Sequence, residues 1–239
     1  MRRKINTLKT TYKIVVPFYN DFENFKKFIE IIDQIETEEK IFLLIDNGSD
    51  TNQISEFSDK LTSKMNWELI RSDKNLGFGG GVKFGAEKAD CEYVAWMPGN
   101  LKLNPIDVYN FFQNNKIQDD KVLLKAYRTG RPFLDRFKTI VFGIVVSPFF
   151  RVNMMDSGGT PNLVHKSFFN LSKAIPNDFS FDVFVLYYFR LNKLPIYRPK
   201  ITYQKRMYGS SHWQKGIISE VNLTLQVIKS RNIWKSNSE

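Results

Sequence analysis

The sequence predicts an α/β fold, a mostly parallel central sheet with helices on both faces, and three observations predict it. Continuous apolar runs of strand length alternate with segments of helical periodicity through the first hundred or so residues. A strand with no inside/outside alternation is buried on both faces, and such strands belong to parallel sheets covered by helices. Each apolar run ends in a cluster of Pro, Gly, Asn, Asp or Ser, the residues of tight turns. Finally, 239 residues with 42% apolar and 15% aromatic content are enough for one large domain with its own core.

The elements follow in order. "YKIVVPFYN" is a short buried strand from Lys13 to Val16, stopped by Pro17. Phe22, Phe25, Phe28, Ile29 and Ile32 then recur at helical spacing, so residues 22–36 are expected to form an amphipathic helix. "KIFLLIDNGSD" repeats the unit, with a strand over 40–45, an Asp/Asn/Gly/Ser turn and a helix over about 51–64. "WELIRS" is a third strand, "NLGFGGGVKFGAEKA" a glycine-rich turn into a third helix, and "EYVAWM" a fourth strand. The second half is less regular. A helix "PIDVYNFFQNN" precedes a strand "KVLLKAY", a basic stretch "RTGRPFLDR" and the apolar segment 137–150. A turn and short strand in "DSGGTPNLVHKSFF", an aromatic helix "FSFDVFVLYYFRLNK", an edge strand "PIYRPKITYQKR" and a final amphipathic helix complete the chain.

Lys and Arg exceed Asp and Glu to give a net charge of +10, which favours anionic partners without choosing among them. One cysteine, Cys91, excludes an internal disulfide framework, and two histidines with it cannot build the usual zinc site. A reducing, cytosolic setting is expected. The basic N-terminus, residues 1–12, lacks the hydrophobic region of a signal peptide and is read as a tail. No apolar run reaches the eighteen or so residues of a membrane span. The nearest, "FKTIVFGIVVSPFF" at 137–150, is either a core segment or an interfacial one, giving the protein a peripheral place on a membrane surface.

In a doubly covered parallel sheet the ligand crevice lies outside the carboxyl ends of the strands. Those ends are Pro17 to Asn20, Asp46 to Ser49, Asn75 to Gly81 and Pro98 to Asn100. Asp46 is placed to accept hydrogen bonds from a base or ribose, although "DNGSD" is equally a plain turn. Gly77, Gly79, Gly80 and Gly81 open the third helix. They either present N–H groups to a phosphate or allow close helix packing. Val82 breaks the dinucleotide-binding glycine pattern, so a dehydrogenase is not expected. Arg128, Arg131 and Arg136, with Lys205, Arg206 and His212, read as a solvated basic face or as converging phosphate ligands. Asp156 and Asp182 are each a general base, an orienter of the acceptor, or a cap. The basic residues sit in crevice loops, which argues against a nucleic-acid binder.

Taken in order, these segments resemble a family-2 glycosyltransferase of the GT-A fold. "IVVPFYN" is similar to its first-strand motif, "LLIDNGSD" to its second-strand nucleotide motif, and "NLGFGGGVKFGAEKADCEYVAWM" to its Asn-x-Gly helix and fourth strand. The second half resembles the polyprenyl-phosphate branch typified by dolichol-phosphate mannose synthase, whose late Arg-x-x-Gly-x-Ser-Lys/His pattern reads here as Arg206, Gly209, Ser211 and His212. The resemblance spans about residues 13–215, split into a Rossmann-like nucleotide-sugar half at 13–104 and an acceptor half at 105–215, with a C-terminal helix and tail at 216–239.

The resemblance implies transfer of a sugar, with inversion, from a nucleotide-diphosphate sugar to a polyprenyl phosphate or related glycolipid, as in cell-envelope glycan synthesis. It implies that Pro17, Tyr19, Asn20, Asp46, Gly48, Ser49, Asn75, Gly77, Gly79, Pro98, Gly99 and Asn100 line the nucleotide-sugar site. It implies that Arg128, Arg131, Arg136, Lys205, Arg206, Ser211 and His212 hold phosphates of donor and acceptor. Asp156 is the candidate base for a hydroxyl acceptor. A phosphate acceptor, already anionic, needs none. The family's Asp-Xaa-Asp stands here as Pro98, Gly99 and Asn100, and the position often filled by a metal-binding Gln is Lys102. Asn100 offers one neutral oxygen where Mg²⁺ or Mn²⁺ favours anionic ones, so weak or absent metal dependence is expected. Lys102 with the arginines is then expected to meet the charge developing on the leaving diphosphate. The alternative is a catalytically silent relative that binds nucleotide sugar or lipid as a partner subunit.

Overall fold

A computed structural model describes residues 11–37, 39–61, 66–170, 175–203 and 217–236. The first half alternates as its apolar periodicity predicts: β1 (Tyr12–Phe18), α1 (Phe22–Ile32), β2 (Phe42–Asp46), α2 (Gln53–Asp59), β3 (Trp67–Arg71), α3 (Gly77–Lys88), β4 (Tyr93–Trp96) and α4 (Pro105–Asn114). The second half comprises β5 (Leu123–Lys125), β6 (Tyr127–Thr129), α5 (Phe133–Phe150), β7 (Asn162–His165), α6 (Phe181–Leu191), β8 (Ile196–Tyr197), β9 (Lys200–Thr202) and α7 (Ile217–Ser236).

Seven strands form one sheet in the order β3-β2-β1-β4-β7-β5-β8, and β7 alone runs against its neighbours. Successive residues of the continuous apolar strands point to opposite faces. Ile14, Val16, Phe42, Leu44 and Ala95 therefore enter one core with Phe25 and Phe28 of α1 and Phe112 of α4. Val15, Leu43, Ile45, Val94 and Trp96 enter the other, with Val82 of α3 and Phe184 of α6. On the first face the aromatic rings meet edge to face, Phe18 on Phe25 at 5.2 Å and Phe28 on Phe42 at 5.8 Å between centroids.

Two expected strands divide. "KVLLKAY" gives β5 to the main sheet, and beyond it β6 pairs with β9 in a separate two-stranded sheet. The proline-containing edge strand breaks in the same way into β8 and β9. Pro199 lies between them and cannot donate to a ladder; its carbonyl instead accepts from the Tyr127 N–H at 2.7 Å. The apolar segment expected at 137–150 is the body of a longer helix, α5, which ends at a left-handed Arg151 with φ of 57°. The helices expected over 22–36 and 51–64 end earlier, at Ile32 and Asp59.

Because β7 is antiparallel, its first residue lies at the carboxyl end of its neighbours: Asn162 is opposite both Trp96 and Lys125. The loop before β7 therefore shares an edge with the ends of β1 to β5. In urea unfolding, Phe42→Ala, at a wholly buried site, is expected to lose about 3–5 kcal/mol. Phe133→Ala, at a site 77% exposed, is expected to change stability by less than about 0.5 kcal/mol.

Candidate active site

The carboxyl ends of β1 and β2 are tied to each other. Asn20, in a left-handed conformation with φ of 49°, donates from Nδ2 to Asp50 at 2.7 Å and accepts from the Asp50 N–H at 2.9 Å. Its own N–H donates to Ser49 Oγ at 3.1 Å. Pro17 lies half-buried in β1, and Tyr19 is exposed at the rim. Asp46 is wholly buried, and both its oxygens are engaged: Oδ1 accepts from the Ser49 N–H and Oδ2 from Arg71, each at 3.0 Å. Arg71 also donates to the Ser49 carbonyl at 2.8 Å, so the second-strand turn is clasped by one guanidinium.

The glycines fit close protein packing. Gly48, with φ of 72°, lies where a Cβ would sit 2.1 Å from the Lys74 carbonyl carbon. A Cβ on Gly79 would lie 2.4 Å from the Pro176 carbonyl oxygen, so α3 begins hard against the segment before α6. The Gly77 N–H donates to Asn75 Oδ1 at 2.8 Å, and Asn47 Nδ2 donates to the Gly77 carbonyl at 3.0 Å.

At the end of β4 the backbone turns through Pro98, Gly99 and Asn100 into Leu101, whose φ of 54° is uncommon for leucine. A Cβ on Gly99 would lie 2.3 Å from the Phe18 ring, which brings this turn onto β1. Asn100 Oδ1 accepts from the Lys102 N–H at 3.2 Å. The turn thus offers one amide oxygen, already engaged, and no carboxylate. Among the described residues no three of His, Cys, Asp and Glu are grouped as a metal would need. At this turn the described residues bring no anionic oxygen to a divalent ion.

The densest polar constellation lies across the same edge, after β5 and before β7. Asp156, left-handed with φ of 55°, accepts at Oδ1 from Arg128 Nε at 3.0 Å, with the Arg128 Nη2 against the same oxygen. Arg198 Nη2 reaches Oδ2 at 2.5 Å, and Arg131 Nη1 stands 3.9 Å from Oδ1. Arg128 also lies over the Tyr203 ring and Arg198 over the Tyr127 ring. Three guanidiniums face one carboxylate, so the cluster carries excess positive charge. Burial would raise the Asp156 pKa, but Arg128, Lys125 and Arg198 outweigh it and hold the carboxyl below its ordinary value. A carboxylate so held is a weak base and a firm anchor.

Beneath the cluster is a buried polar core. Lys125, wholly buried, donates from Nζ to the carbonyls of Ser157 at 2.8 Å and Gly159 at 2.6 Å and to Asn162 Oδ1 at 3.3 Å. Asn162 Nδ2 donates in turn to Asp182, which also accepts from the Trp96 indole at 2.8 Å. Burial pushes the Lys125 ammonium down to about 8, against the pull of Asp182 and Asp156. Burial likewise raises Asp182, against Lys125.

Of the expected phosphate ligands, Arg128 and Arg131 meet at Asp156, and Arg136 is exposed on α5. Lys205, Arg206, Ser211 and His212 lie outside the described residues. Sequence reasoning missed Arg198, Arg71 and Lys125. An arginine between Tyr197 and Pro199, and a lysine inside the run "VLLKAY", are the signals that could have found two of them.

A seven-stranded mixed sheet with its polar loops gathered at one edge is the GT-A glycosyltransferase architecture, and solved structures with that fold superpose on the chain. Glucosyl-3-phosphoglycerate synthase from Mycobacterium tuberculosis, in complex with Mn²⁺, UDP and glucosyl-3-phosphoglycerate, aligns with a TM-score of 0.65 at 12% identity, over 95% of this chain and 80% of that one. The same enzyme with Mn²⁺, UDP-glucose and phosphoglyceric acid aligns with a TM-score of 0.67 at 10% identity, over the same shares. No curated protein matches the chain by sequence. The sequence model for glycosyl transferase family 2 matches residues 13–175, and the chain belongs to that family.

An aspartate held below its ordinary pKa stabilises the fold above its unfolded value and loses that contribution as pH falls through the folded value. Asp156→Asn, which leaves buried guanidiniums without their counter-charge, is therefore expected to cost about 3–5 kcal/mol near neutral pH. The gap from wild type should close as the solution is acidified below about pH 4. Urea melts across the acid range check this.

Proposed function

We propose that the protein transfers a sugar from a nucleotide-diphosphate sugar to a phosphate-bearing acceptor of the polyprenyl-phosphate class. The observation that carries this reading is the surplus of guanidinium at Asp156, one strand from a β4 turn that has no carboxylate. An enzyme that must neutralise a leaving diphosphate needs positive charge where negative charge develops. Arginine forks provide it with fixed direction, and Asp156 holds them in place as a positioning residue. The joined loops at Pro17 to Asn20 and Asp46 to Ser49 form the nucleoside side of the site. In this reading Lys102 and the cluster of Arg128, Arg131 and Arg198 together meet the phosphates of donor and acceptor.

The chemistry is a single displacement. An acceptor phosphate oxygen attacks the anomeric carbon as the bond from that carbon to the diphosphate oxygen breaks. The nucleoside diphosphate leaves with the bonding electrons, and the anomeric configuration inverts. The attacking oxygen is already anionic near neutral pH, so no proton must be removed. Asp156, fully engaged by arginines, fits this acceptor better than one carrying a hydroxyl.

A second reading, a nucleotide-sugar or lipid-binding subunit without turnover, is favoured by the lost carboxylates at Pro98 to Asn100. Both readings predict that a nucleoside diphosphate or its sugar raises the melting temperature. Only the first predicts a glycosylated phospholipid product. Transfer is expected to persist in chelator, and Arg128→Ala to lower it about a hundredfold or more. Lys102→Ala is expected to slow it as well. Complete dependence on Mn²⁺ with an unaffected Lys102→Ala would overturn the charge-replacement mechanism, and nucleotide binding without product would leave the subunit reading.

A further inference from the structure

We infer that α5 is a docking helix whose bare face rests on an anionic lipid bilayer. The helix is apolar on two opposite sides. Inward it packs through Gly143 against Met155, and through Phe150 against Tyr187 at 4.9 Å and Trp234 at 5.4 Å. Outward, Phe133, Phe137, Ile140, Ile144, Val145 and Phe149 all stand exposed, Phe133 at 77% and Ile144 at 61%. At 100° per residue these positions, with the exposed Leu134 and Val141 between them, fill one broad arc opposite Gly143, Val146 and Phe150. Singly exposed apolar side chains need no explanation, but a continuous stripe of this length marks a contact surface.

Charge selects the occupant. Arg136 and Lys138 stand at the edges of the stripe, Arg151 lies at its end, and the chain as a whole carries +10. A second copy would bring these like charges together, whereas anionic headgroups complement them. The helix does not cross the bilayer: Asp135, Arg136 and Lys138 occupy its first turns, and no described helix is long and apolar enough to span. Apolar residues on one side and cations flanking them describe a helix lying in the interface plane.

The docked face also continues into the candidate site. Arg131 Nη2 donates to the Asp135 carbonyl and to Thr139 Oγ1, each at 2.9 Å, which fastens the first turns of α5 to the Asp156 cluster. A protein resting on α5 thereby holds its guanidiniums near the level of lipid phosphates.

Cosedimentation of the full chain with vesicles tests this without reference to catalysis. The wild type is expected to pellet with phosphatidylcholine vesicles containing phosphatidylglycerol, less with phosphatidylcholine alone, and less as salt rises. A Phe137→Asp, Ile144→Asp double variant is expected to lose at least about tenfold in partitioning. Its melting temperature and any nucleotide-induced shift should be retained, which separates failure of docking from failure of the transferase reading. A wild type that stays in solution over anionic vesicles, or a double variant that pellets as well as wild type, overturns the inference. So does a lipid-free dimer in sedimentation velocity that the double variant dissolves, since the stripe would then belong to a second copy.

Discussion

The ammonium of Lys125 has no exposed surface, and the arrangement of the acceptor-side loops follows from satisfying it. A buried charge without partners is far costlier than any surface contact can offset. The chain meets it with the carbonyls of Ser157 and Gly159 and the amide oxygen of Asn162. Those acceptors bring the loop before β7 down onto the end of β5. Asp156 heads that loop, so the anchor for three arginines is positioned by a lysine buried beneath it. Asn162 extends the same network to Asp182 and through it to the Trp96 indole in β4. One continuous set of hydrogen bonds therefore joins the centre of the sheet to the charged cluster at its edge.

On the nucleotide side the constraint is close approach in place of charge. The β2 turn meets the segment after β3 because Gly48 lacks a side chain where Lys74 comes close, and the β4 turn meets β1 because Gly99 lacks one against the Phe18 ring. Left-handed conformations at Asn20, Leu101 and Asp156 occur in three of these edge loops. Such conformations are sparsely populated and persist when the surrounding structure over-determines them. The strain lies around the crevice, on the side where doubly covered sheets bind ligands.

Family-2 membership and the residues at the end of β4 pull in different directions, and the proposed replacement of a cation by arginines would reconcile them. Carboxylates at that turn would attract a cation, and the cation would face the diphosphate. Here the turn is neutral, and fixed cations stand across the edge at Arg128, Arg131 and Arg198. Fixed guanidiniums need no loading and change little with pH, at the cost of requiring an anchor such as Asp156. That requirement accounts for a carboxylate held so far from basicity in the middle of a candidate site.

What the sequence by itself determined is the alternation of strands and helices, the two-faced burial of the sheet, and the polar turns along one edge. These are local properties, read at periods of 2 and 3.6 residues. Asp46, Asn20 and Pro98 to Asn100 were legible as edge residues because each directly follows an apolar strand. Only the tertiary structure decided which charges meet. Asp156 joins Arg128 across 28 residues and Arg198 across 42, and no periodicity spans such separations. The division of one expected strand into β5 and β6, and of another into β8 and β9, was equally invisible, since pairing partners rather than propensity set it. The bare face of α5 shows the same limit: its residues announce an apolar helix, but which side the core would leave uncovered depended on where Met155, Tyr187 and Trp234 came to rest.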